Sequence, residues 1–546
     1  MLLHLVRRSG QLVEKEELMR RVWPGIHVEE SSFSHNISVI RKALGRQASG
    51  ESFIETVSKR GYRFVAPVTS LDRKPQPLCI AVIPFRSLGA ANGDDYFGVG
   101  LADTLINRLT NLAVLTVRPT SAILTFGGPH QDALEAGRAL RVDSVLDGHY
   151  QLAGDRLRIT VQFIRVSDGK PLWAEKFDAR VTDVFEVQDA ISEQLAKVLE
   201  LNLTREQEGM LSRHSTASQE SYHLYLKGRH LLRKYAPGTL AIDCLKQALE
   251  LDQDYALAHA ELAFAYIILG PSLMPGGEAM AEAKRAAVRA LDLDPDLVEA
   301  RTTMAMLKFW YDWDRTGSEE LYLGLLSRNP NYPMAYGGYG WFLTAMGRFE
   351  EAQIVLEKGL ALDPLSPTAL TDMGLPFYFA RQYRSSIEWF ERALELDPYF
   401  WYGHYRLGIS CVMAGDLDRA IPTLQRAQEM MGNVSPDFAT ALAWAYAMAG
   451  NRPEAQGLLT QIGSMEGPNN LGAYDLAAVH LALGDNRRAL QLLALAVDRR
   501  EKWVSWMKVD PRWKRLEAEP SFTDLLARIG LSPSIRTTSK NSGRGK

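Results

Sequence analysis

Few residue sets in this 546-residue chain have the types and spacing for covalent chemistry. Gly98-Val-Gly100-Leu-Ala-Asp103 has two glycines of a dinucleotide-binding turn, but no strand runs directly into it to aim a helix N-terminus at a pyrophosphate. Asp94, Asp95 and Asp103 carry oxygen donors suited to a hard cation, yet Asn-Gly-Asp-Asp at 92–95 reads first as a turn and helix start. A phosphate loop, HExxH, GxSxG and kinase-type sets are all missing, and the eleven histidines are dispersed. Cys79, Cys244 and Cys411 lie too far apart in sequence to form a CxxC pair, and an odd, scattered set is no disulfide framework. The expectation is a non-enzyme with no metal and no cofactor.

Charge points elsewhere. The net formal charge of -3 is uninformative as a whole-chain number, but residues 1–67 hold 11 Lys/Arg and 7 Asp/Glu, leaving a basic head of +4 on a body of -7. Within that head, Lys15–Trp23 reads as a short helix and Ser31–Leu44 as a longer one ended by Gly45. Phe33, Ile37, Ile40 and Leu44 follow helical spacing and define its buried face. At about 100° per residue, Ser31, His35, Ser38 and Lys42 project nearly opposite, with Ser34 and Arg41 to one side. A hairpin follows over Phe53–Val65, with Lys59, Arg60 and Arg63 at or near its tip.

These residues carry a resemblance. Trp23-Pro-Gly, Glu29-Glu-Ser-Ser, Asn36-Ile-Ser and Ile40-Arg-Lys-Ala-Leu, followed by Ile54-Glu-Thr-Val and Arg60-Gly-Tyr-Arg-Phe-Val, resemble the winged helix-turn-helix domain of OmpR-type transcriptional regulators. The resemblance implies that the third helix enters the major groove of double-stranded DNA and the wing touches the adjacent backbone. It makes His35, Ser38 and Lys42 groove-facing candidates, with Ser31 and Ser34 beside them. Arg41, Lys59, Arg60 and Arg63 become phosphate contacts. The family pattern normally begins with a small antiparallel sheet and the first half of the first helix, whereas this sequence opens at Leu2-Leu3-His4-Leu5-Val6, inside that helix. A start assigned too late is the expectation. The head is of a phosphorelay-related type, but no receiver domain precedes it, so phosphoryl transfer is not the expected input.

Residues 68–77 read as a polar, proline-bearing linker. Residues 78–200 alternate strand-like and helix-like segments: Cys79–Phe85 as a strand, Tyr96–Leu109 as a helix, a hairpin over Ser144–Arg165 and a closing helix over Val184–Glu200. The openings Ile80-Ala-Val-Ile-Pro-Phe and Asp95-Tyr-Phe-Gly-Val-Gly-Leu resemble the α/β domain of CadC-like regulators, of TolB and of FlgO-like proteins.

From residue 217 to 500 the sequence repeats. Pro295, Pro330, Pro364 and Pro398 stand 35, 34 and 34 residues apart, and Gly347, Gly415, Gly450 and Gly484 stand 68, 35 and 34 apart. Counted from Pro367, Gly374, Phe377, Phe390, Ala393 and Pro398 fall at places 8, 11, 24, 27 and 32 of the tetratricopeptide (TPR) pattern. About eight units are expected, the second lengthened by a loop over 270–277 and the third altered at Phe309-Trp-Tyr-Asp-Trp313. Register places Trp341, Tyr378, Tyr402 and Tyr405 on a groove that takes a protein or peptide partner, against the alternative that they are inter-repeat core. Residues 501–532 are expected to cap the array, and 533–546 to be a disordered tail.

The expected fold is multidomain and mainly α: a winged helix-turn-helix, a small α/β domain, then an α-solenoid of TPR hairpins. The whole resembles a CadC-like one-component transcriptional regulator without a transmembrane segment, since no run approaches the roughly 18–20 apolar residues a spanning helix needs. A cytoplasmic location is expected, with DNA, RNA polymerase and a second copy of the chain as partners and no membrane. The rival reading is a TPR scaffold whose head no longer binds DNA.

Overall fold

The computed structural model describes residues 1–22, 30–46, 51–58, 60–66, 78–88, 96–110, 112, 115–126, 132–199, 201, 216, 218–233, 239–270, 274, 276–431, 436–464 and 472–531. The expected linker at 68–77 and tail at 533–546 lie outside them, as do Trp23 and Lys59. The chain divides into two compact units, Met1–Gln76 and Pro77–Lys546.

The first unit holds helices α1 (Leu2–Arg7), α2 (Lys15–Val22) and α3 (Glu30–Leu44), with strands β1 (Leu12–Glu14), β2 (Ile54–Val57) and β3 (Gly61–Phe64). The strands form an antiparallel sheet in the order β1-β3-β2. The expected apolar stripe is the core: Phe33 and Ile37 are buried with Leu5, Val13, Leu18, Ile54 and Phe64, and Ile40 and Leu44 pack at its margin. β1 was not expected. Gln11-Leu-Val-Glu is too short for a period to register, and the strand exists because β3 offers it a free edge. That pairing requires glycine at position 61, where φ is +154° and a Cβ would collide with the Val13 carbonyl.

In the second unit, β4 (Leu78–Val82), β6 (Leu115–Val117), β7 (Ser144–Ala153), β8 (Arg156–Arg165) and β9 (Pro171–Arg180) form a sheet in the order β6-β4-β7-β8-β9, and the short β5 (Arg86–Ser87) pairs with β7. β4 is parallel to both neighbours, and β7 to β9 run antiparallel through the expected hairpin turns. Apolar residues of α4 (Tyr96–Thr110) and α5 (Val184–Val198) join this sheet in one buried core.

Eight helical hairpins follow among the described residues, from Gln219–Arg233 with Leu240–Leu251 to Ala473–Ala482 with Asn486–Asp498. Gly347, Gly415, Gly450 and Gly484 each end a first helix in the left-handed region, with φ from 75° to 90°. The 68-residue gap in that marker is filled by Arg381, and one repeat before Gly347 the place is held by Trp313. Both are non-glycine residues with positive φ, 64° and 57°. Trp313 follows a π-helical turn, Lys308–Asp312, which is the irregularity visible in the third repeat.

The α/β domain is docked on the array. Arg118 donates to the carbonyls of Ala361 (2.7 Å) and Leu362 (2.8 Å), the exposed acceptors of a helix C-terminus. Asn331 Nδ2 donates to the Leu115 carbonyl at 2.7 Å. Gly100 lets helix Gln219–Arg233 approach, since a Cβ there would run into Leu226. Asp103 is buried and pairs with Arg229, which also reaches Glu261 at 3.7 Å. Gly100 and Asp103 of the dinucleotide echo therefore serve packing. Asp94 and Asp95 lie outside the described residues, among which no metal-binding group of acids, histidines or cysteines occurs.

Candidate functional site

α3 presents its polar face outward. Ser34, His35, Ser38 and Lys42 are exposed, while Asn36 is half-buried. Val39 stands among them at 50% exposure. Spacing alone did not single out Val39, because an isolated apolar residue on a polar face carries no periodic signal; its methyl groups suit a thymine methyl. Ser31 lies on α3, but its side chain is outside the described residues.

Arg41, expected as a phosphate contact, turns its guanidinium toward the hairpin. Its Nε and Nη2 donate to the Ile54 carbonyl at 3.0 and 2.8 Å, and Nη2 also donates to Thr56 Oγ1 at 2.7 Å. β2 is an edge strand, and Arg41 supplies it with donors from α3, fixing helix against hairpin. Phe33 and Tyr62 reinforce that junction with ring centroids 5.6 Å apart. Arg63 is likewise not at the tip. It lies mid-strand on β3, opposite Leu12 on one side and Glu55 on the other, with the Glu55 carboxylate 3.6 Å away. Arg60 is exposed in the turn between β2 and β3. Among the described residues the exposed candidates are thus Ser34, His35, Ser38, Val39 and Lys42 on the helix and Arg60 on the hairpin, with the Arg63 side chain 39% exposed beside Glu55.

The four aromatic residues assigned to the array's groove do lie on the first helices of their hairpins, but they do not line an open groove. Trp341 Nε1 donates to Asp372 Oδ1 at 2.7 Å, and its ring stacks on Trp503 and meets Trp506 edge-on. Tyr378 is buried at 4% exposure. Tyr402 accepts a hydrogen bond from Arg406 Nε at 2.9 Å, and Tyr405 packs edge-on to Phe438. Arg406 in turn lies 4.8 Å from the Trp503 ring.

What covers this face is the chain itself. After the last hairpin, two 3-10 segments, Lys502–Trp506 and Pro511–Leu516, and the helix Pro520–Arg528 turn back along the array, so residues 501–531 are not a simple end cap. Trp506 packs on Phe309 and Trp310, and Arg315 Nη2 donates to the Ile529 carbonyl at 2.6 Å. An array with aromatic rings on its inner face would leave them wet, and covering them from within the chain removes that cost. A contact across about 200 residues has no local signature in the sequence.

Burial sets the electrostatics of this junction. Asp372 has its carboxyl pushed up to about 7, against the pull of the Trp341 hydrogen bond and of Arg406. Glu501 is also pushed up to about 7 by burial, although it accepts backbone N–H bonds from Ala473 and Tyr474 at 2.9 and 3.0 Å. Arg512 bridges Asp475 (2.7 Å) and Asp510 (2.8 Å), which hold its guanidinium charged despite burial.

Comparison with known proteins agrees with this geometry. Residues 1–64 match the family model of the transcriptional regulatory protein C-terminal domain, and residues 76–194 that of the HilA/YgeH-like transcriptional regulator second domain. Residues 335–364 and 371–433 match tetratricopeptide repeat models. A protein of Rhizobium meliloti (strain 1021) bearing the name adenylate cyclase 3 is 27% identical over 248 residues, 45% of this chain and 42% of that one. The transcriptional regulator HilA of Salmonella typhimurium is 24% identical over 391 residues, 68% of this chain and 67% of its own length. A cholera toxin homolog transcriptional activator of Vibrio parahaemolyticus is 36% identical over 72 residues, 13% of this chain and 25% of that one. The chain therefore spans less than half of the first of these relatives and about two thirds of the second. Along the chain the matches follow one another as a transcriptional regulatory winged helix, a HilA/YgeH-like second domain and tetratricopeptide repeats.

Proposed function

We propose that the protein is a DNA-binding transcriptional regulator: the winged helix reads promoter DNA and the repeat region engages a protein partner. The observation that carries the reading is the exposed face of α3, where Ser34, His35, Ser38, Val39 and Lys42 stand together without an acidic side chain among the described residues. His35, Ser38 and Lys42 contact base edges in the major groove, Val39 meets a thymine methyl, and Arg60 contacts phosphate. Lys59 belongs to the same proposal from sequence alone. Arg41 acts as a positioning residue that holds the wing at a fixed angle to the helix.

No helix among the described residues is long and apolar enough to cross a membrane, and action in the cytoplasm is part of the same proposal. RNA polymerase and a second copy of the chain are further partners under this proposal. The adenylate cyclase named for the Rhizobium relative is not carried over, because the likeness covers only 42% of that protein. The test is the set of genomic sites the protein occupies in cells, compared with a Lys42→Ala, Arg60→Ala double variant. Discrete promoter peaks that vanish in the variant support regulation. Absence of peaks in both would favour the scaffold reading.

A further inference from the structure

The inner face of the array and the segment lying on it share features of a receptor and its ligand. The segment is irregular, made of 3-10 turns, and touches several hairpins rather than pairing with one helix. Ser505 Oγ donates to the Phe309 carbonyl at 3.3 Å in the third hairpin. Trp503 stacks on Trp341 in the fourth and lies under Arg406 in the sixth. Arg512 approaches the Trp444 ring at 5.9 Å in the seventh and pairs with Asp475 in the eighth. An extended peptide on a repeat array makes contacts in this way, a few per repeat.

Polar groups lie in this junction beside the buried Val504, Trp506, Met507 and Trp513. Arg406 is 6% exposed and its Nη2 has no hydrogen-bond partner, although it sits against the Trp503 ring. Arg512 and Asp475 form a half-buried ion pair, an arrangement that adds little net stability but discriminates between ligands. Arg500, which ends the last hairpin just before the segment, has a left-handed φ of +52° and donates to the Tyr311 carbonyl at 2.6 Å.

We propose that the inner face of the array is a peptide-binding groove, that Lys502–Trp513 is its resident ligand, and that the external partner is a peptide of the same chemistry, paired indoles followed by an arginine, which enters by displacing it. This rests on the reading of the repeat region as partner-binding and is independent of DNA recognition by the head. The spacing of the resident ligand defines the partner: Trp503 and Trp506 three residues apart, with Arg512 six residues further on.

The probe is a fluorescein-labelled peptide with the sequence of residues 499–516, titrated into the full chain and into its Trp503→Ala, Trp506→Ala variant. At least tenfold tighter binding to the variant is expected, and a peptide with both tryptophans replaced by alanine should not bind. Equal binding to both chains, or none to the variant, overturns the proposal. Amide hydrogen exchange on the unmodified chain guards against a variant that fails to fold. Residues 502–513 should exchange at least tenfold faster than Trp401–Ala414 and Pro436–Met448. Equal protection would make the segment permanent core and overturn displacement even if the peptide binds. Fast exchange without peptide binding would remove the groove as the partner site, leaving the array's other faces to the partner reading.

Discussion

On α3 of the head, His35, Ser38, Val39 and Lys42 face solvent, whereas on the array Trp341, Tyr378 and Arg406 lie beneath the chain's own Trp503, Trp506 and Arg512 or are buried beside them. The difference follows from side-chain chemistry. Serine, histidine and lysine cost little to leave in water and meet a charged, hydrated ligand there, while a row of indole and phenol rings exposed at once would favour aggregation. A polar recognition surface can stand open, and an aromatic one needs a cover. The two regions should respond to substitution in separate ways.

The largest effect is expected at the buried pair that docks the α/β domain. Arg229→Met leaves Asp103 and Glu261 without a cation and should cost about 3–5 kcal/mol of body stability, read by thermal unfolding, with DNA affinity of the folded chain unchanged. A shift in pH should act on the covered face next. The fold holds the Asp372 carboxyl at about 7 against an ordinary 3.8, so it favours the protonated form. Its contribution is intact below the ordinary value, is lost as pH rises toward about 7, and changes no further above that. Asp372→Asn, which keeps an acceptor for Trp341 and faces the same Arg406, should therefore gain Tm relative to the parent between pH 5 and pH 8, by an amount on the order of a few degrees. A constant difference across that range would contradict the assignment.

On the open side, Gly61→Ala forces a Cβ into the Val13 carbonyl and should destabilise the head by about 1–3 kcal/mol without touching the body's unfolding. His35→Ala leaves the head folded and should weaken specific DNA binding by about 1–3 kcal/mol while sparing non-specific binding. The smallest change expected is a gain: Arg381→Gly relieves a left-handed residue at a place glycine fills in neighbouring repeats, for about 1 kcal/mol of stability, offset slightly by the exposed pair with Glu517. A loss of stability there would mean the Glu517 contact outweighs the backbone strain.

Sequence reading succeeded where the signal was periodic. The buried face of α3, the hairpins β2–β3 and β7–β8 and the 34-residue repeat all follow from spacing of 3.6, 2 or 34. It failed where long-range geometry decided the outcome. Arg41 and Arg63 carry the charge of phosphate contacts, but their directions depend on where β2 and β3 pass, which no local pattern encodes. The repeat marker broke at 381 because glycine preference in the left-handed region is an energy difference of about 1–2 kcal/mol, which the rest of a repeat can override. Trp341 and Tyr378 were placed on the right helices but not beneath their cover, since the covering segment lies more than 120 residues further along the chain.

The central claim is tested most directly by fluorescence anisotropy with a labelled duplex from the promoter upstream of the protein's own gene, set against a scrambled duplex of equal length and titrated with salt. The account predicts preference for the promoter duplex and affinity that falls with salt at a log–log slope of about -3 or steeper, reduced by about 1 in Arg60→Ala. No binding at about 50 mM salt, where phosphate contacts are strongest, would contradict it.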